Sequence, residues 1–97
     1  MVVLNEKDFE SFLSSNDTCM VMFGATWCGP CKALRPKVAD LKLDNVAYAD
    51  IQVCRENAMN AKIMAVPTLV VFRGGKEVVR ANKLTEEILS ELRGDDG

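Results

Sequence analysis

The chain has 97 residues, 12 Lys+Arg against 14 Asp+Glu for a formal net charge of -2, four cysteines and no histidine. Its length fits one domain spanning 1–97 that buries roughly two-thirds of its unfolded surface, and its 48% hydrophobic content supplies one core. The missing histidine excludes a Ser-His-Asp or Cys-His relay and a His-ligated zinc site, and a mildly acidic balance with no basic block gives no electrostatic footprint for nucleic acid.

Val2-Val3-Leu4 is a short apolar run and reads as a first strand. Asn5 can cap a helix, with Glu6 and Asp8 in the first turn favoured by the dipole. Phe9, Phe12 and Leu13 then share one helical face, and Asn16 and Asp17 end the element. The continuous apolar run Cys19 to Phe23 is short enough for a buried strand. A second helix follows from about Cys28, with Leu34, Val38 and Leu41 on one face. Pro36 lies inside it, and a kink is expected there because proline lacks an N–H and clashes with the carbonyl of Lys32.

Val46 to Ile51 reads as a third strand, and Ala58, Ala61 and Met64 suggest a short third helix. Thr68 to Phe72 is dense in β-branched and aromatic residues and is the most strand-like segment. Gly74-Gly75 signals a hairpin, with Glu77 to Arg80 returning as an edge strand. Thr85 caps the last helix, Glu86 and Glu87 follow, and Leu84 can staple onto Leu89. Ile88, Leu89 and Leu92 make its buried face, and Arg93-Gly94 fits its end. A frayed tail is expected from Asp95 to Gly97. The order β-α-β-α-β-α-β-β-α defines an α/β fold. Its central mixed sheet is flanked by helices, with parallel crossovers first and an antiparallel hairpin last.

The N-terminal segment lacks the basic start and longer apolar stretch of a signal peptide, and the run from Cys19 to Ala25 is too short to span a bilayer. A cytoplasmic protein is therefore expected, with no membrane partner. In that compartment cysteines stay reduced unless they are catalytic.

The chemistry lies in Trp27-Cys28-Gly29-Pro30-Cys31-Lys32, between a buried strand and a helix start. Free N–H groups and the positive dipole end stabilise a thiolate at a helix N-terminus, so Cys28 is the candidate nucleophile. Cys31 lies one turn along the same face, where the two sulfurs can form a disulfide. Gly29 leaves room for a second protein, and Pro30 falls where a missing N–H costs nothing. The alternatives are a zinc half-site, which would need four ligands, and a pair of packing thiols. Cys19 and Cys54 stand apart. Cys19 reads as core, and Cys54, near a helix start beside Arg55, reads as core with a reactive thiol as the alternative. The methionines at 1, 20, 22, 59 and 64 read as initiator and core filler.

Over essentially its whole length the chain resembles the thioredoxin family. The resemblance rests on Ala25-x-Trp27-Cys28-Gly29-Pro30-Cys31-Lys32, on Pro36 within the helix, on Val66-Pro67-Thr68, and on the Gly74-Gly75 strand pair with its terminal helix. It implies a thioredoxin fold and a protein disulfide reductase. Cys28 would attack a target disulfide, and Cys31 would resolve the mixed disulfide. It also implies a cis Pro67 beside the cysteines, Val66 backbone pairing with a bound substrate strand, and Trp27 on the surface beside the nucleophile. No cofactor would be bound beyond the redox-active Cys28–Cys31 pair. The implied partners are disulfide-containing target proteins and a thioredoxin reductase, NADPH- or ferredoxin-linked, acting on a monomer.

Two departures stand out. Met22 occupies the position of the family's buried Asp, and Tyr48 that of its Lys partner, so the proton route from Cys31 is altered. Water, Cys28 itself and Tyr48 are the candidate acceptors, with filling of half-buried sheet space the plainer role for Tyr48. Arg80-Ala81-Asn82 replaces the usual Gly-Ala region, which would place Arg80 at the substrate groove. Two other functions remain as alternatives: an accessory binding subunit that does not use the redox chemistry, and a glutaredoxin-type, glutathione-linked reductase.

Overall fold

Asn5 begins the first helix by the chemistry its side chain offers. Its Oδ1 accepts the N–H groups of Lys7 and Asp8, and the Asp8 carboxylate accepts the Asn5 N–H at 2.7 Å. This reciprocal box satisfies donors that an uncapped helix leaves free. The computed structural model describes residues 1–94, so the tail expected from Asp95 to Gly97 lies outside the described residues. The elements are β1 (Val2–Val3), α1 (Glu6–Ser15), β2 (Thr18–Gly24), α2 (Gly29–Ala39), β3 (Val46–Asp50), α3 (Arg55–Asn60), β4 (Thr68–Arg73), β5 (Lys76–Ala81) and α4 (Glu86–Arg93). The order matches the alternation expected from the sequence.

The strands form one mixed sheet in the order β1-β3-β2-β4-β5. β1 and β2 run parallel to β3, while β2–β4 and β4–β5 are antiparallel. Central β2 is buried on both faces from Cys19 to Gly24, which explains its continuous apolar run. Gly74 and Gly75 turn the last hairpin at φ of 61° and 79°, conformations that favour glycine. Thr85 Oγ1 accepts the Ile88 N–H at 3.1 Å to open α4, and Gly94 closes it with φ 75°.

The sheet separates two cores. Leu4, Phe9, Phe12, Phe23 and Phe72 pack with α1 and α3 on one side. Met20, Met22, Leu34, Val38, Leu69 and Ile88 pack with α2 and α4 on the other. Cys19 and Cys54 belong to the first core, Cys28 and Cys31 to the second. The helix α2 continues through Pro36 to Ala39.

Four expectations about packing are corrected. The third helix ends at Asn60, and Lys62 takes a left-handed φ of 56°, so Met64 leaves the helical face and is 92% exposed. Met59 is likewise 69% exposed, leaving Met20 and Met22 as the methionines fully inside. Leu89 is only half-buried, because α4 rests on the sheet through Ile88 and Leu92. Tyr48 fills a fully buried position rather than a half-buried one.

Candidate active site

Strand β2 delivers the chain at Gly24 into the turn Ala25-Thr26-Trp27, and Cys28 is the N-cap of α2. Cys28 Sγ accepts the Cys31 backbone N–H at 3.2 Å, one of the free donors of the first helical turn. The same sulfur lies 3.7 Å from the carbonyl oxygen of Val66. Cys28 and Cys31 are joined as a disulfide with their Cα atoms 5.3 Å apart, within the ordinary range. Pro30 sits in the first turn, where no helical hydrogen bond is lost. Gly29 faces open space, so nothing crowds an approach to Cys28 from that side.

The peptide bond between Val66 and Pro67 is cis, and Val66 lies against the sulfur pair. Trp27 is 65% exposed beside the nucleophile position, as the resemblance implied. A groove of about 420 Å³ runs past these residues, lined among others by Pro30, Leu34, Val66, Pro67, Asn82 and Lys83. Arg80 is not part of it. Its guanidinium instead donates to the carbonyls of Ala61 and Lys62, at 2.7 and 3.2 Å, and pairs with Glu77 at 2.6 Å. The chain one and two residues beyond β5 supplies the groove wall that Arg80 was expected to form.

The other two cysteines have a different environment. Cys19 is fully buried, and burial pushes its thiol up to about 11. Cys54 is also fully buried and donates its S–H to the Leu4 carbonyl at 3.4 Å. Burial, reinforced by the charges of Asp8, Glu6 and Asp50, raises it to about 11. Full burial of both favours the neutral thiol, which supports the packing role over the reactive one considered for Cys54.

Met22 is wholly buried and pairs across the sheet with Tyr48. Sequence reasoning did not single out Gly24 or Arg35. A side chain at Gly24 would meet the Tyr48 hydroxyl at 3.0 Å and Cys31 Sγ at 3.3 Å, so the glycine admits both groups to one spot. The Arg35 guanidinium carbon stands 3.8 Å above the centre of the Tyr48 ring. Arg35 lies four residues beyond Cys31 on the same helix, a spacing that puts them on one face and could have revealed it. Among the described residues, no group of three or more His, Cys, Asp or Glu is placed to hold a metal ion. No helix among them is long and apolar enough to cross a membrane.

A mixed sheet with a dithiol pair at a helix N-terminus and a cis-proline beside it defines the thioredoxin-fold class. The thioredoxin family profile matches residues 1–93, and the chain belongs to that family. It is similar to a thioredoxin of Mycobacterium tuberculosis, 38% identical over 73 residues, which are 70% of this chain and 63% of that protein. It is 40% identical over 78 residues to thioredoxin-2 of Saccharomyces cerevisiae, covering 75% of each. The crystallographic structure of Fasciola hepatica thioredoxin superposes with a TM-score of 0.80 at 35% identity over 94% of both chains.

Proposed function

We propose that the protein is a dithiol-disulfide oxidoreductase that reduces disulfides in other proteins. The observation that carries the reading is the position of Cys28: its sulfur accepts a helix N-terminal N–H, and its disulfide partner lies one turn along. In the reduced protein that donor and the helix dipole stabilise the Cys28 thiolate. The thiolate attacks one sulfur of a target disulfide, and the other sulfur leaves as a thiolate. Cys31 then attacks Cys28, releases the second target sulfur and leaves the Cys28–Cys31 disulfide. Target chain is held in the groove beside Val66 and Pro67, with the Val66 backbone as its pairing edge and the exposed Trp27, next to Cys28 in the chain, as a further contact surface.

Two electrons from a thioredoxin reductase restore the dithiol. A relative in Mycobacterium leprae, named a bifunctional thioredoxin reductase/thioredoxin, is 36% identical over 77 residues and supports this pairing. The sequence between the cysteines, Gly29-Pro30, suits a reducing rather than an oxidising member, and the work is assigned to the cytoplasm. No cofactor beyond the sulfur pair takes part. The test is reduction of insulin disulfides with thioredoxin reductase and NADPH. Turnover that disappears in Cys28→Ser is expected, and inactivity of the unaltered protein would contradict the reading.

A further inference from the structure

A cleft of about 290 Å³ opens beside Cys31, lined by Ala25, Thr26, Cys31, Lys32, Arg35 and Tyr48. It is large enough for several waters and has polar partners for them. The Tyr48 hydroxyl and the Cys31 sulfur converge over Gly24, at 3.0 and 3.3 Å from where a β-carbon would stand. Arg35 lies on the Tyr48 ring at 3.8 Å, and Arg35 and Lys32 are both exposed at the cleft's outer side. A buried thiol, two cations and a phenol thus meet at a channel to solvent.

We propose that Tyr48 and Arg35 are positioning residues for the resolving step, the phenol holding a water against Cys31 and Arg35, with Lys32, favouring the thiolate that forms. The proposal deepens the dithiol reading above and rests on it. In the step, the Cys31 S–H bond breaks and its proton passes to cleft water and on to solvent. The sulfur electron pair forms the bond to Cys28 Sγ, and the bond from Cys28 to the target sulfur breaks, releasing a target thiolate. Tyr48 itself gains no proton. Burial and the Asp50 charge hold it above the ordinary phenol range, with Arg35 opposing, so it stays a neutral group that both donates and accepts.

The charged and titratable groups around this point are Lys32 and Arg35 from α2 and Tyr48 and Asp50 from β3. Met22 and Gly24 of β2 carry no charge, and the Asp50 carboxylate accepts the Gln52 N–H at 2.8 Å. Asp50 shares the face of Tyr48, two residues along, and its removal is therefore the control for the Tyr48 substitution.

The experiment mixes the reduced protein with an aromatic nitrobenzoate disulfide whose released thiolate absorbs visible light. The first equivalent reports Cys28 attack and the second reports resolution by Cys31. For Tyr48→Phe, the second release is expected to slow about tenfold at neutral pH, and its pH profile to move up by about one unit, with the first release unchanged. Arg35→Gln is expected to move the profile the same way. An unchanged second-phase profile in Tyr48→Phe would overturn the proposal, as would a profile moved by Asp50→Asn but not by Tyr48→Phe. Absence of a second equivalent from the unaltered protein would instead remove the dithiol reading itself.

Discussion

The two faces of the sheet each hold a pair of cysteines, and their fates differ. On the α1/α3 face, Cys19 and Cys54 are sealed among Leu4, Phe9 and Phe23. There a thiolate would lose water and gain nothing, so both thiols are held up near 11. On the α2/α4 face, Cys28 and Cys31 are nearly as buried, yet a helix N–H points at one sulfur and a cleft with two cations opens beside the other. Burial alone does not decide thiol reactivity. What decides it is whether donors and charge replace the water that burial removes.

The most severe way to break this contrast is to remove the reactive pair. Cys28→Ser should reduce insulin turnover to background. Cys31→Ser should leave attack intact and accumulate a mixed disulfide with the target, visible by mass spectrometry. On the opposite face, Phe23→Ala deletes a fully buried ring that contacts Phe9 at a centroid distance of 5.9 Å. It should cost about 3–5 kcal/mol in denaturant unfolding while leaving Cys28 attack intact in the folded fraction.

The inert thiols carry their own pH signature. Their folded values lie above the unfolded value of 9.0. The unfolded chain therefore loses these protons first, and their stabilisation, whole below pH 9, is lost as pH rises toward about 11. Each should contribute on the order of 2 kcal/mol to that decline. Denaturation of Cys19→Ala across this range should show a shallower fall than the unaltered protein. At the small end, Thr85→Ala removes the cap of α4 and should cost about 1 kcal/mol with insulin turnover unchanged.

The two faces were not equally legible in the sequence. The redox pair, the caps at Asn5 and Thr85, and the Gly74-Gly75 turn are local grammar, written within a few residues. The order of elements along the chain and the mixed sheet likewise follow from alternation and one hairpin signal, whereas the spatial strand order β1-β3-β2-β4-β5 does not. What escaped was set by distance across the fold. Arg80 turns away from the groove because the carbonyls of Ala61 and Lys62 are within its reach. Met64 leaves the core because Lys62 reverses the chain with a positive φ that no side-chain pattern announces. The meeting of Tyr48 with Cys31 depends on the parallel register of β2 and β3, which pairs Met22 with Tyr48 and Gly24 with Asp50. Met22 and Tyr48 could be flagged as departures from a family pattern, but their packing around Gly24 appears only in three dimensions.

The contrast between the faces is tested most directly by alkylating the reduced, folded protein with iodoacetamide at neutral pH and following each cysteine by mass spectrometry. The account requires Cys28 to be modified first and fastest, with Cys19 and Cys54 untouched until denaturant is added. Modification of Cys19 or Cys54 in the native protein at a rate comparable to Cys28 would contradict it.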